Sequence, residues 1–143
     1  MKYSLFIEPH REEEVIIYTH EKNDLVLKIE ELLIKDKEEL FGYSENEIIR
    51  LDPASILCFE ANSGKIFAVT ERGKFSVKLR LYQLEEMFPE DFLKINQSCL
   101  VRVDKIKHFN SSIGGSLTVT LEGGYKDYIS RRQLKKVKER IGF

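Results

Sequence analysis

Phe92-Leu93-Lys94-Ile95-Asn96-Gln97-Ser98-Cys99-Leu100-Val101-Arg102-Val103-Asp104-Lys105-Ile106 is the stretch on which the fold of this chain turns. It opens as a strand over residues 92–95, breaks at two consecutive amides and a serine, and resumes as an apolar run. A companion stretch follows at Ile129-Ser130-Arg131-Arg132-Gln133-Leu134-Lys135-Lys136-Val137. Both set basic and amide side chains, able to hydrogen-bond phosphates and base edges, beside a serine where an element begins. In the first, Lys94, Asn96, Gln97 and Ser98 stand at a strand end where packing does not demand amides; an Asx-type turn leading into residues 99–103 is the structural alternative. In the second, a helix is predicted over residues 131–141, with Ser130 as N-cap and Gln133 completing a capping box. Two guanidinium groups in the first turn oppose the positive end of the helix dipole, an arrangement that an anion would complete. Pairing of Arg131 or Arg132 with Asp127 or Glu139 is the alternative. Lys135, one turn further on, joins the candidate set.

Working outward, strands are predicted over residues 48–51, 56–60, 66–70 and 75–79, with turns at Asp52-Pro53, Asn62-Ser63-Gly64 and Glu71-Arg72-Gly73-Lys74. The Asn62 turn presents Lys65, which could reach a phosphate or a guanine edge, or simply be solvated. A short helix over residues 81–88 is closed by Pro89. Further strands are predicted over residues 106–109, 117–121 and 125–129, joined by turns at 111–115 and 123–124. At the other end, residues 3–7 and 15–18 read as short strands and residues 23–40 as a helix, with Leu25, Ile29, Leu32, Leu33 and Leu40 on one stripe and Gly42 as its stop. This ββα unit, residues 1–45, is too small to be stable alone. Its stripe is expected either to pack on the β core or to form a dimer seam. The fold class expected is α+β, mainly β, with a strand-built domain over residues 46–143.

At 143 residues the chain can bury one solid core and a small appendage. Its 42% hydrophobic and 33% charged residues are those of a globular chain rather than a disordered one. No apolar run approaches the ~20 residues that span a bilayer, and residues 1–7 are too short for a signal peptide, so a cytoplasmic protein without membrane contact is expected. Cys58 and Cys99 stand singly in apolar runs and are expected to be buried, reduced thiols. The net charge of −1 hides a separation: residues 1–91 carry 12 basic against 20 acidic groups, and residues 92–143 carry 11 against 4. A basic C-terminal third suits a polyanion-binding face, although a solvated C-terminal helix would give the same balance. Residues 1–47 hold 6 basic and 13 acidic groups, and should face away from a polyanion.

Catalytic and metal patterns are not found. His10, His20 and His108 stand far apart and in no metal-ligand spacing, the glycine pairs fall at turns rather than in a phosphate loop, and no cofactor is implied. Glu60, at the end of an apolar strand, is expected to be a rim carboxylate paired with a Lys or Arg. An enzyme is not expected.

The chain resembles the LytTR family of bacterial DNA-binding domains, found mostly in transcriptional regulators. The resemblance runs from about residue 48 to residue 141 on Ile56-Leu57-Cys58-Phe59-Glu60, Phe92-x-Lys94-x-x-x-Ser98-x-x-Val101, Asp104-x-x-x-His108 and Ile129-Ser130-Arg131-Arg132. It implies a β-strand core with short peripheral helices, whose loops rather than a recognition helix enter successive major grooves and bend the DNA. It also implies contacts from residues 62–65, from Asn96 and Gln97, and from Arg131 and Arg132. The chain departs from the family, which commonly has His, Lys or Arg near Asn96 and Gln97, and Asn at the place of Arg102; sequence preference is expected to differ accordingly. The frequent companion of the family, a receiver domain, has no room in residues 1–45. The expectation is a stand-alone regulator that binds double-stranded DNA as a homodimer on repeated half-sites, switched by abundance or by a bound regulatory protein or ligand. The rival is a protein-interaction or sensory module that uses the acidic N-terminal unit and binds no specific DNA.

Overall fold

The structure, a computed structural model, describes residues 2–36, 39–111 and 114–143. It comprises two compact units, Met1–Lys37 and Glu38–Phe143.

In the first unit, α1 spans Asp24–Asp36. Asn23 caps it: its Oδ1 accepts the Val26 N–H at 3.0 Å and its carbonyl accepts the Leu27 N–H at 3.1 Å. The helix is shorter than residues 23–40. Lys37 and Glu38 lie outside the described residues, and Leu40 belongs to the strand that follows. The strands expected at residues 3–7 and 15–18 are absent among the described residues, so the ββα reading is corrected to an irregular segment followed by one helix. A strand exists through its ladder, and among the described residues these segments make no ladder bonds. The segment does turn, since the Arg11 N–H donates to the Glu8 carbonyl at 3.2 Å and the Arg11 guanidinium meets Glu8 at 3.5 Å and Glu14 at 2.6 Å.

The second unit runs β1 (Leu40–Tyr43), β2 (Ile48–Leu51), β3 (Ile56–Asn62), β4 (Lys65–Thr70), β5 (Gly73–Val77), α2 (Leu81–Met87), β6 (Phe92–Asn96), β7 (Cys99–Arg102), β8 (Ile106–Ser111), β9 (Leu117–Leu121), β10 (Lys126–Ile129) and α3 (Arg131–Ile141). The strands form an antiparallel sheet of order β2-β1-β5-β4-β3-β7-β6 and a second of order β10-β9-β8. The mainly-β, α+β class expected of the core therefore holds. Two strands were not foreseen, β1 and β7. Pairing of Leu40 with Leu51 through Tyr43 with Ile48 joins β1 to β2, so the expected boundary after residue 45 falls inside a hairpin of the second unit. Gly42 is not a helix stop but a gap for close packing: a Cβ there would stand 2.7 Å from the Phe75 Cβ and 2.8 Å from the Leu51 Cδ1. Of the turn expected over residues 111–115, Ser112 and Ile113 lie outside the described residues.

Strands β3 and β7 are buried on both faces, which is why they separate two cores. Phe59 and Leu100 face a cluster with Leu40, Phe75, Phe92 and, from α2, Leu84. Cys58, Cys99 and Val101 face a second cluster with Val119, Leu121 and Ile129, closed by Leu134, Val137 and Ile141 of α3. A register shift between Ile56 and Cys58 adds one residue to β3, so Leu57 and Cys58 both serve the second cluster. Both cysteines are buried and unbridged.

Candidate nucleic-acid interface

Three polar stretches far apart in sequence are tied to one another. The β3–β4 hairpin turns through Ser63 and Gly64 with φ of 52° and 78°, the double left-handed geometry of a type I′ turn. Asn62 and Lys65 flank that turn as a paired couple, both exposed, and the Asn62 Oδ1 accepts the Ser63 hydroxyl at 3.2 Å. Just before it, the Ala61 N–H donates to the Ser98 carbonyl at 2.8 Å, fastening the hairpin to the Gln97-Ser98 turn between β6 and β7. That turn is fastened on its other side as well. The Asn96 Nδ2 donates to the Tyr128 carbonyl at 2.9 Å, and the Ser130 N–H donates to the Ile95 carbonyl at 2.8 Å. The start of α3, which packs on β6, is thereby held beside the turn.

These bonds sort the candidate residues. Gln97 and Ser98 are exposed at the turn, and Lys94 is half-buried on β6. Asn96 differs from its neighbour: it is 1% exposed and each end of its amide makes a bond within the chain, the Oδ1 accepting the Ser98 N–H at 2.8 Å. Burial, with one bond at each end of the amide, sets it to fix the turn that presents Gln97. Adjacent amides look alike in a sequence; burial separates them.

Arg131, Arg132 and Lys135 are exposed on α3. Among the described residues neither arginine makes an ion pair, and Asp127 is engaged by the Tyr128 N–H at 2.8 Å, so pairing with Asp127 or Glu139 does not account for them. Ser130 is the N-cap by position, but its side chain makes no capping bond, which corrects the expected capping box; its carbonyl accepts the Gln133 and Leu134 N–H groups at 3.1 Å. Free N–H groups and two unpaired guanidinium groups thus share one helix end. Arg140, by contrast, is occupied, donating to the carbonyls of Pro89 at 3.0 Å and of Glu90.

Behind this surface lies a brace that the sequence indicated only through Glu60. Its carboxylate meets the Lys74 Nζ at 2.6 Å and accepts the Tyr125 hydroxyl at 2.8 Å, linking the two sheets. Burial raises the Glu60 pKa, but the bonds from Lys74 and Tyr125 outweigh it and hold it below the ordinary value of 4.5. The Cys58 thiol and burial push the Cys99 thiol up, and burial pushes the Tyr125 phenol up, so both stay protonated. A carboxyl depressed on folding contributes stability that is present above its unfolded pKa and is lost as pH falls through the folded value. Glu60→Gln is therefore expected to cost about 1 kcal/mol at neutral pH, half-exposed Lys74 limiting the effect. The difference from wild type should shrink as pH falls below the ordinary carboxyl value of 4.5 and vanish once Glu60 is protonated in the folded state. Urea unfolding across pH checks this; a pH-independent difference would contradict it.

Arg102, where the sequence departs from the family pattern, is also structural. It is 9% exposed, donates to the Pro53 carbonyl at 2.9 Å, lies 2.9 Å from the Asp104 carboxylate and stacks over Phe92. Among the described residues no group of His, Cys, Asp and Glu could hold a metal ion, and no helix is long and apolar enough to cross a membrane.

Comparison with known proteins identifies the family. The LytTr DNA-binding domain family matches residues 46–142. Uncharacterized HTH-type transcriptional regulators of Staphylococcus aureus strains NCTC 8325 and N315 are each 32% identical over 144 residues, covering 99% of this chain and 98% of the relative. A Bacillus cereus structure described as the LytTr DNA-binding domain of a methyl-accepting/DNA response regulator superposes with a TM-score of 0.70 at 19% identity, over 75% of this chain and 99% of that one, a likeness of fold.

Proposed function

Because this chain belongs to the LytTR family of DNA-binding domains, we propose that it is a sequence-specific transcriptional regulator whose loops enter the major groove of repeated half-sites in double-stranded DNA. The observation that carries the reading is the set of three hydrogen bonds, from Ala61, Asn96 and Ser130, that ties the 62–65 hairpin, the 97–98 turn and the start of α3 together. Arg131 and Arg132 anchor bases or phosphate at the helix start, Gln97 supplies the amide contact, and Lys65 reaches the backbone from the hairpin. Asn62, Lys94, Ser98 and Lys135 flank them. Loop readout is also favoured because five strands separate α2 from α3, so these helices do not form a helix-turn-helix pair. The protein acts in the cytoplasm as a homodimer, one copy per half-site, controlled by abundance or by a bound partner.

Fluorescence anisotropy on a duplex, titrated across salt concentrations, tests the electrostatic part. Binding should weaken steeply with salt, and Lys65→Ala should lower the slope of log K against log salt by about 0.9 without changing the preferred sequence. An unchanged slope would remove Lys65 from the phosphate contacts. Salt-insensitive binding throughout would overturn the reading.

A further inference from the structure

We propose that residues 3–7 and 15–18 are strands completed by a second copy of this chain, which makes the N-terminal unit the dimer seam. Among the described residues these segments have no backbone partner, yet they carry Tyr3, Leu5, Phe6, Ile7, Val15, Ile16 and Tyr18 between 58% and 92% exposed. Seven large side chains at that exposure present in total on the order of 800 Å² of apolar surface, about what one partner contributes to a stable interface. Unpaired N–H and C=O groups along the same segments add the template for a ladder.

The partner is a second copy because of what the unit lacks. Two short segments and one helix cannot form a stable layer, whereas four strands and two helices can, and an identical unit supplies the missing half through a closed twofold contact. Neither apolar segment contains a charged residue; the charges cluster at Glu8, Arg11, Glu12, Glu13 and Glu14 between them. A twofold axis can therefore bring like segments together without opposing like charges. The inference extends the homodimer proposed above and does not depend on DNA recognition.

The test is light scattering on the full chain without DNA, with hydrogen exchange read in parallel. Wild type at micromolar concentration should have twice the 16.8 kDa chain mass. A Leu5→Asp/Ile16→Asp double variant should have the single-chain mass, with its circular dichroism in the β region retained. Amides of residues 3–7 and 15–18 should exchange about tenfold or more slower in the dimer and lose that protection on dilution. A monomeric wild type, a variant that remains dimeric, or unprotected amides in these segments would overturn the proposal. Should the variant aggregate, the exchange pattern of wild type decides. A dimer that binds no duplex would leave the seam standing and remove the DNA reading, so the two fail separately.

Discussion

Asn96→Leu is expected to destabilise the fold by about 1–3 kcal/mol and to weaken DNA binding through the scaffold, since the side chain is buried. The replacement keeps the branching and heavy-atom count of the amide, so much of the loss comes from polarity: beside this 1%-exposed side chain, the Tyr128 carbonyl and the Ser98 N–H each lose their partner. A buried group so stranded costs roughly 1–3 kcal/mol. The same two bonds fix the turn that presents Gln97 and tie it to the segment before α3, so binding should fall by more than the unfolded fraction explains. Urea unfolding together with duplex titration measures both quantities. Unchanged stability with lost binding would return Asn96 to the contact surface.

Replacing Arg131 and Arg132 together by Ala is expected to do the opposite. Both side chains are exposed and unpaired among the described residues, and cations in the first turn oppose the helix dipole. Stability should therefore stay within about 0.5 kcal/mol of wild type or rise slightly. Duplex affinity should fall about a hundredfold or more, at ~1–3 kcal/mol for each guanidinium that reads a base. Affinity lost equally on all sequences would assign both arginines to phosphate, and affinity retained would remove the helix start from the interface. The contrast between the two variants, one acting through the scaffold and the other on the surface, separates positioning from contact.

Much of this was legible in the chain. Strand β2 and helix α3 fall where the β-rich run before the Asp52-Pro53 turn and the Ser130 punctuation put them, and the three polar stretches were recognisable by their amides and arginines beside serine or glycine. That hydrogen bonds join those stretches was not legible, because two of the three donors and all three acceptors are backbone groups that any sequence carries. β7 was missed because Cys99-Leu100-Val101 is buried on both faces and so shows no alternation. β1 was missed because Leu40 continues the helical spacing of Leu25 and Leu33, and Gly42 resembles a helix stop when in fact it makes room for Phe75 and Leu51. The strands expected at residues 3–7 and 15–18 show the opposite limit. Their composition suggested strands where the described residues hold none.

The most direct test of the account is selection of bound duplexes from a random DNA pool at ~0.15 M salt, where non-specific binding is weak, with wild type and Arg132→Ala in parallel. The account predicts that wild type enriches a repeated motif and that the variant loses the enrichment. Absence of a motif, with only weak salt-sensitive binding shared by both proteins, would contradict sequence-specific recognition through the start of α3.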